Sequence, residues 1–220
     1  MVYRRTEYVE QKIDNAKTAI VTATIRLITT GGWRAASIAA VARTARVAAG
    51  SVYLHFPSKS QLLCEAYRRI AELEVKIIAD IAHGEGTPGE RLSAAIETFA
   101  RRALRGRRKA YAVIAEPADE AEIERLRLHY RKQFVSQFVH IIDDGIRAGE
   151  FTQQDSNVTG ACVLGALAEA IVVPLADESY DPVSRTPQLI CEIQAYVNRA
   201  IGVKRTSSRP AIQENEFQES

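Results

Sequence analysis

Apolar residues in this chain return every three or four positions, not every two. Ile123, Leu126, Tyr130, Phe134, Phe138, Ile141 and Ile142 climb in that rhythm, the stripe of an amphipathic helix. The pattern predicts one long helix from about Asp119 to Ala148, stopped by Gly149 in a left-handed conformation. Residues 7–30, 59–82, 89–105, 155–176 and 185–201 carry the same spacing. Glycine and proline gather between these stretches, at Gly31-Gly32, Pro57, "HGEGTPGE" (83–90), Gly106, Pro117, Gly149, "DESYDPVSRTP" (177–187) and Gly202. No period-two run of β-branched residues occurs, so the expected fold is all-α, with about nine helices. Beyond Gly202 the periodicity disappears and polar residues dominate, which predicts a disordered tail over 203–220.

The stretch "VTGACVLGALAEAIVVPLA" (158–176) is apolar nearly all round, and its small residues permit close helix approach. Glu169 and Pro174 interrupt it, so a buried or interface helix is expected and not a membrane span. The stripe Leu189, Ile193, Tyr196, Val197 and Ile201 follows. Together the two C-terminal helices suit a four-helix bundle across a two-fold axis, a homodimer; burial within one chain is the alternative. The start "MVYRRTEYVEQK" has no apolar core of a signal peptide. Cys64, Cys162 and Cys191 are few and far apart, as suits reduced thiols in a cytoplasmic protein, and they form no metal-ligand spacing. No metal or cofactor is expected.

The net charge of +2 conceals an asymmetry. Residues 1–60 hold nine Lys or Arg against Glu7, Glu10 and Asp14, a balance of +6 that leaves −4 for the remainder. A basic first quarter points to a polyanion-binding head on a differently employed body, with a solvated charged face as the alternative.

Residues 33–60, "WRAASIAAVARTARVAAGSVYLHFPSKS", fit two short helices at about 37–44 and 48–54 with a tight turn at 45–47. Ser37 is placed as an N-cap, although Ala40 leaves the capping box incomplete. Ile38, Val41, Ala42, Ala45, Val47 and Val52 make a small apolar seam, too slight for the second helix to exist for packing alone. Its Gly50 and Ser51 give it the low profile that a helix in a DNA major groove needs. Arg34, Arg43, Arg46 and Lys59 flank it and are positioned for phosphates, while Val52 and Phe56 read as its buried anchors.

The long first helix, the Gly-containing turn, "S-I-x-x-V-A" and then "G-S-V-Y-L-H-F-x-x-K-x-x-L-L" resemble the DNA-binding domain of the tetracycline-repressor (TetR) family of bacterial transcription regulators. The match spans roughly residues 15–63. The resemblance implies an all-α homodimer with a helix-turn-helix head at 1–58, a ligand-binding and dimerisation body at 59–202, and a double-stranded, palindromic DNA operator as partner. It implies repression, relieved when a small-molecule effector enters the body. Carried over by position, it puts Ser37 on a phosphate, Ala49, Gly50 and Ser51 toward the bases, Tyr53 and His55 on the backbone-facing edge, and Lys59 with a helix N-terminus at a phosphate. Two residues depart from the family pattern: Arg46 stands where Gly is usual in the turn, and Ala48 where Ser or Thr caps the recognition helix. The recognition helix also lacks the Arg, Gln and Asn that read bases bidentately, which leaves readout to Arg34, Arg43 or contact with thymine methyls. Arg4 and Arg5 read as a loose tip or a minor-groove arm, the tip being favoured.

In the body, "RRALRGRRKAY" (101–111) contains six cationic residues and no acid. It reads as a solvated helix end or as an anion site for a phosphate-bearing ligand such as an acyl-CoA. The expected ligand-binding residues are Arg105, Arg108, Tyr111, Ile114, Tyr130, Phe134 and Phe138. His129 and His140 share a helix face but stand too far apart to chelate a metal. No nucleophile elbow, phosphate-cradling glycine loop or metal quartet is present to support an enzyme. The remaining rival is a DNA-binding factor that senses nothing, against which the long apolar-patterned body argues.

Overall fold

The computed structural model describes residues 7–203, with side chains from Asp14 onward. Arg4, Arg5 and the stretch from 204 to the C-terminus lie outside the described residues. Within them the chain is all-α. Nine helices follow one another: α1 (Glu7–Ala35), α2 (Ile38–Ala45), α3 (Ala49–His55), α4 (Lys59–Ala82), α5 (Pro88–Arg105), α6 (Arg107–Ile114), α7 (Ala121–Arg147), α8 (Ser156–Ala176) and α9 (Pro182–Ala200).

Most helix starts are written locally. The hydroxyls of Ser37 and Ser58 accept from the backbone N–H groups of Ala40 and Gln61, opening α2 and α4. Thr87 and Glu90 form a full capping box with Pro88 in the first turn of α5. Asp155 and Asp181 cap α8 and α9, so α9 begins at Pro182, three residues before the periodicity predicts, and runs on through Pro187. Gly149 adopts φ 75° just past α7, as its position predicts.

The glycine pair interrupts α1, as expected: Gly32 is non-helical (φ 70°, ψ −166°), and beyond that bend one more helical turn runs to Ala35. Only glycine tolerates that backbone region readily. The bend turns Trp33 inward, where its indole N–H donates to the Ala112 carbonyl of α6 at 3.0 Å.

Two apolar cores result, and α4 belongs to both. The first joins α1, α2 and α3 to Leu62, Leu63, Ala66, Tyr67, Ala71 and Val75 of α4, and it is closed by Ala112, Ile123 and Tyr130 from α6 and α7. The second gathers Ile78 and Ala82 with α5, α7, α8 and α9. Packing is therefore continuous across residue 58, and the helix after it serves head and body alike.

Candidate DNA-binding head and ligand cavity

α2 and α3 are joined by a turn in which Arg46 takes the left-handed conformation (φ 58°), the one non-glycine positive φ among the described residues. Its N–H bonds back to α2, and the Val47 N–H reaches the Ala42 carbonyl at 2.9 Å. A residue with a Cβ costs about 1 kcal/mol there. Ala48 caps α3 without any side-chain hydrogen bond. Both departures from the family pattern thus sit on the turn itself.

Val52 and Phe56 are buried and hold α3 against α1 and α4, with the Lys17 ammonium 6.0 Å from the Phe56 ring. The opposite face is open. Ala49 and Gly50 are exposed, Ser51 and His55 partly so, and Tyr53 is half-exposed. A Cβ added at Gly50 would meet nothing within 4 Å. Leu54, absent from the sequence expectation, is 85% exposed beside them. An apolar side chain that large on so short a helix is the signal that a reading focused on polar residues misses. Arg34, Ser37, Arg43 and Arg46 are exposed as well. Lys59 stands at the start of α4 but pairs with Glu120 at 3.1 Å, and Ser60 next to it donates to Glu122.

A second feature lies in the body. A cavity of about 890 Å³, its open mouth included, runs between α4, α5, α6, α7 and α8. Ile70, Ile78, Phe99, Ile114, Phe134 and Leu164 form much of its apolar wall, with Phe99 and Phe134 edge to face at 5.5 Å. Its apolar wall with a few convergent polar groups is of the kind that lines small-molecule sites. Of the seven residues expected to bind ligand, Ile114, Tyr130 and Phe134 line it. The other four stand elsewhere. Phe138, one turn beyond Phe134, is wholly buried in the second core. Arg108 forms a two-pronged pair with Glu116 (2.9 Å and 2.9 Å) and lies over Tyr111. Arg105 is exposed.

The basic run divides by partner. Arg101 pairs with Glu97 on its own helix, and Arg107 donates to the Tyr180 and Asp177 carbonyls. Arg102 and Lys109 turn into the cavity and meet Glu74 of α4 there. Arg102 holds that carboxylate through two bonds, at 2.7 and 3.1 Å, and Lys109 adds a third at 3.3 Å. Burial alone would raise the Glu74 carboxyl, but the Arg102 hydrogen bonds and the Lys109 charge outweigh it and hold the group below its ordinary value. Burial pushes Tyr67 up to about 12, and burial with a bond to Glu72 does the same for Tyr130, so both phenols stay protonated.

α6 forms one wall through Lys109, Ala110, Val113 and Ile114. Carbonyls in its last turn and just beyond it are gripped from three sides. Trp33 takes Ala112, Arg127 of α7 takes Val113 at 3.0 Å and Glu116 at 2.7 Å, and the Tyr67 hydroxyl lies 3.5 Å from Val113. Trp33 in turn stacks on Tyr67, ring centroids 6.1 Å apart.

A bihelical head with an open second helix, mounted on a helical body with an apolar cavity, defines a class: ligand-responsive, DNA-binding transcription regulators. Residues 20–66 match the profile of bacterial regulatory proteins of the tetR family, and residues 85–171 that of the tetracyclin repressor-like C-terminal domain. The two matches cover more than half of the sequence, and the chain belongs to the TetR family. Among solved structures, the fatty acid degradation regulator FadR from Bacillus halodurans is similar at 18% identity and TM-score 0.72, over 86% of this chain and 97% of that one. The transcriptional regulator FadR from Bacillus subtilis, in complex with stearoyl-CoA, is 19% identical at TM-score 0.68, over 81% and 97%. A putative transcriptional regulator from Saccharomonospora viridis in complex with choline is 20% identical at TM-score 0.69, over 87% and 100%. No curated protein matches the sequence significantly.

Proposed function

We propose that this protein is a cytoplasmic, dimeric repressor that binds a palindromic operator and lets go when a small molecule enters the body's cavity. Residues 1–58 form its DNA-binding head and 59–202 its sensing and dimerising body. Arg34, Ser37, Arg43, Arg46 and Lys59 contact phosphates, while Ala49, Gly50, Ser51, Tyr53, Leu54 and His55 face the groove. The observation that carries the reading is the double employment of α6: it walls the cavity and is hydrogen-bonded to Trp33 of the head. A ligand that shifts α6 pulls on the helix that carries the recognition pair. α8 supports the dimer. It is long and apolar enough to cross a membrane, yet only 39% of its most apolar window is buried, and Val158 and Val173 are more than half exposed. A second copy of that face would cover it.

The test is a gel shift with DNA flanking the protein's own gene, at low salt, with and without fractionated metabolite extract. Lys59→Ala should weaken binding and flatten the log–log salt dependence by about two for a dimer. Glu120→Gln, which frees Lys59 from its present partner, should strengthen it. Failure to shift, with Lys59→Ala silent, would sink the reading. A shift that no extract releases would leave a DNA-binding factor without an effector.

A further inference from the structure

The cavity contains an ion cluster that its apolar wall does not require. Four cationic side chains line it, Arg102, Lys109, Arg127 and Arg131, against one carboxylate, Glu74. Arg127 is occupied by the Val113 and Glu116 carbonyls and by Glu124. Arg131 is exposed at the cavity's edge and makes no ion pair among the described residues. Arg102 and Lys109 spend their donors on Glu74. The carboxylate of Glu74 therefore stands where an anion would be bound, presented by the protein's own α4.

From this we infer that the cavity takes an anionic amphiphile, an apolar chain ending in a carboxylate or in a phosphorylated carrier, whose charged end displaces Glu74 from Arg102 and Lys109. The inference rests on the proposed sensing role of this cavity and names its ligand class. The chain lies against Ile70, Ile78, Phe99, Ile114, Phe134 and Leu164. The head finds net positive charge even with Glu74 in place. A cation such as a quaternary ammonium meets the opposite situation. The aromatic rings Tyr67, Phe99, Tyr130 and Phe134 invite it, but the one carboxylate is already claimed twice and the remaining charges repel it. Electrostatics decides for the anion. When Glu74 is released, the bond between α4 and the α5–α6 corner is released with it, which gives the ligand a route to α4.

Two sources share this chemistry, a free fatty carboxylate and the same chain as a coenzyme A thioester. Laurate, lauroyl-CoA, 1-dodecanol and dodecyltrimethylammonium serve as probes on the full chain. Binding is followed by calorimetry and by the fluorescence of Trp33, the one tryptophan in the sequence, which stacks on the cavity residue Tyr67. At least one anionic probe should bind about tenfold tighter than the alcohol or the ammonium. The tighter of laurate and lauroyl-CoA identifies the source. Glu74→Gln removes the internal competitor and should tighten the anion about tenfold, and Arg102→Gln should weaken it by as much. The ammonium binding best, Glu74→Gln weakening the anion, or no probe binding would each overturn the inference. Anion binding with the expected charge preference, by a protein that never shifts DNA, would leave the ligand class standing and remove the repressor reading instead.

Discussion

Gly32 offers a measurable test of how the head is fastened to the body. A Cβ built there would collide with Arg108 Nη2 and stand 2.5 Å from Glu116 Oε2, inside the Arg108–Glu116 ion pair. Gly32→Ala thus carries two costs. The first is backbone strain at φ 70°, ψ −166°, about 1–3 kcal/mol. The second is loss of the pair, whose side chains are 37% and 17% exposed, so that solvent screening limits it to about 1 kcal/mol. The sum is about 2–4 kcal/mol by urea denaturation. Gly149→Ala supplies the control, because φ is 75° there and a Cβ meets nothing within 4 Å. It should cost about 1 kcal/mol. In an Arg108→Ala background the ion pair is already absent and Glu116 is free to swing clear of the added Cβ, so Gly32→Ala should become cheaper by about 1 kcal/mol, a coupling that a double-mutant cycle reads directly. If Gly32→Ala costs no more than Gly149→Ala, or is indifferent to Arg108, the packing of the ion pair over α1 is not what the geometry states.

Two further outcomes concern the body. Val173→Asp puts a charge on the exposed face of α8, twice over at the proposed two-fold interface, and should weaken the proposed dimer at least about a hundredfold by sedimentation, leaving the monomer folded. The Asp144 carboxyl is held below its ordinary value by the Arg91 hydrogen bond, against a desolvation that raises it, with Arg147 and His140 adding to the lowering. A group depressed in the folded state stabilises above its unfolded value and loses that contribution as pH falls through the folded one. Asp144→Asn should therefore lower stability at neutral pH and flatten the acid limb below about pH 4; parallel urea midpoints for the two proteins across that range would refute it.

Features set by neighbouring residues could be read from the sequence. Ser37 caps α2, Arg46 is left-handed, Gly149 ends α7, and Val52 and Phe56 are buried, each for a reason contained in a few residues of chain. The basic run was legible as charge but not as structure. Its partners Glu74 and Glu116 lie on other elements, so a window without acids still becomes a set of paired side chains. Helical spacing put Phe134 and Phe138 on one stripe, and nothing in that spacing tells which of the two borders a void. Trp33 escaped notice because its meaning lies 79 residues away, at Ala112. Leu54 escaped it because an exposed leucine has significance only once its surroundings are known to be bare.

α4 has a mechanical consequence. From Ile78, in the cavity, to Lys59, beside the recognition helix, the rod rises through nineteen residue steps, about 28 Å at 1.5 Å per residue. Under the proposed function it would act as a lever whose driven end lies in the cavity. A tilt of about ten degrees there would swing the far end by roughly 5 Å. Operator half-sites recur about 34 Å apart, and two such levers in a dimer would move the heads in opposite senses. A displacement no larger than a side chain at Glu74 could then put both recognition helices out of step with the groove.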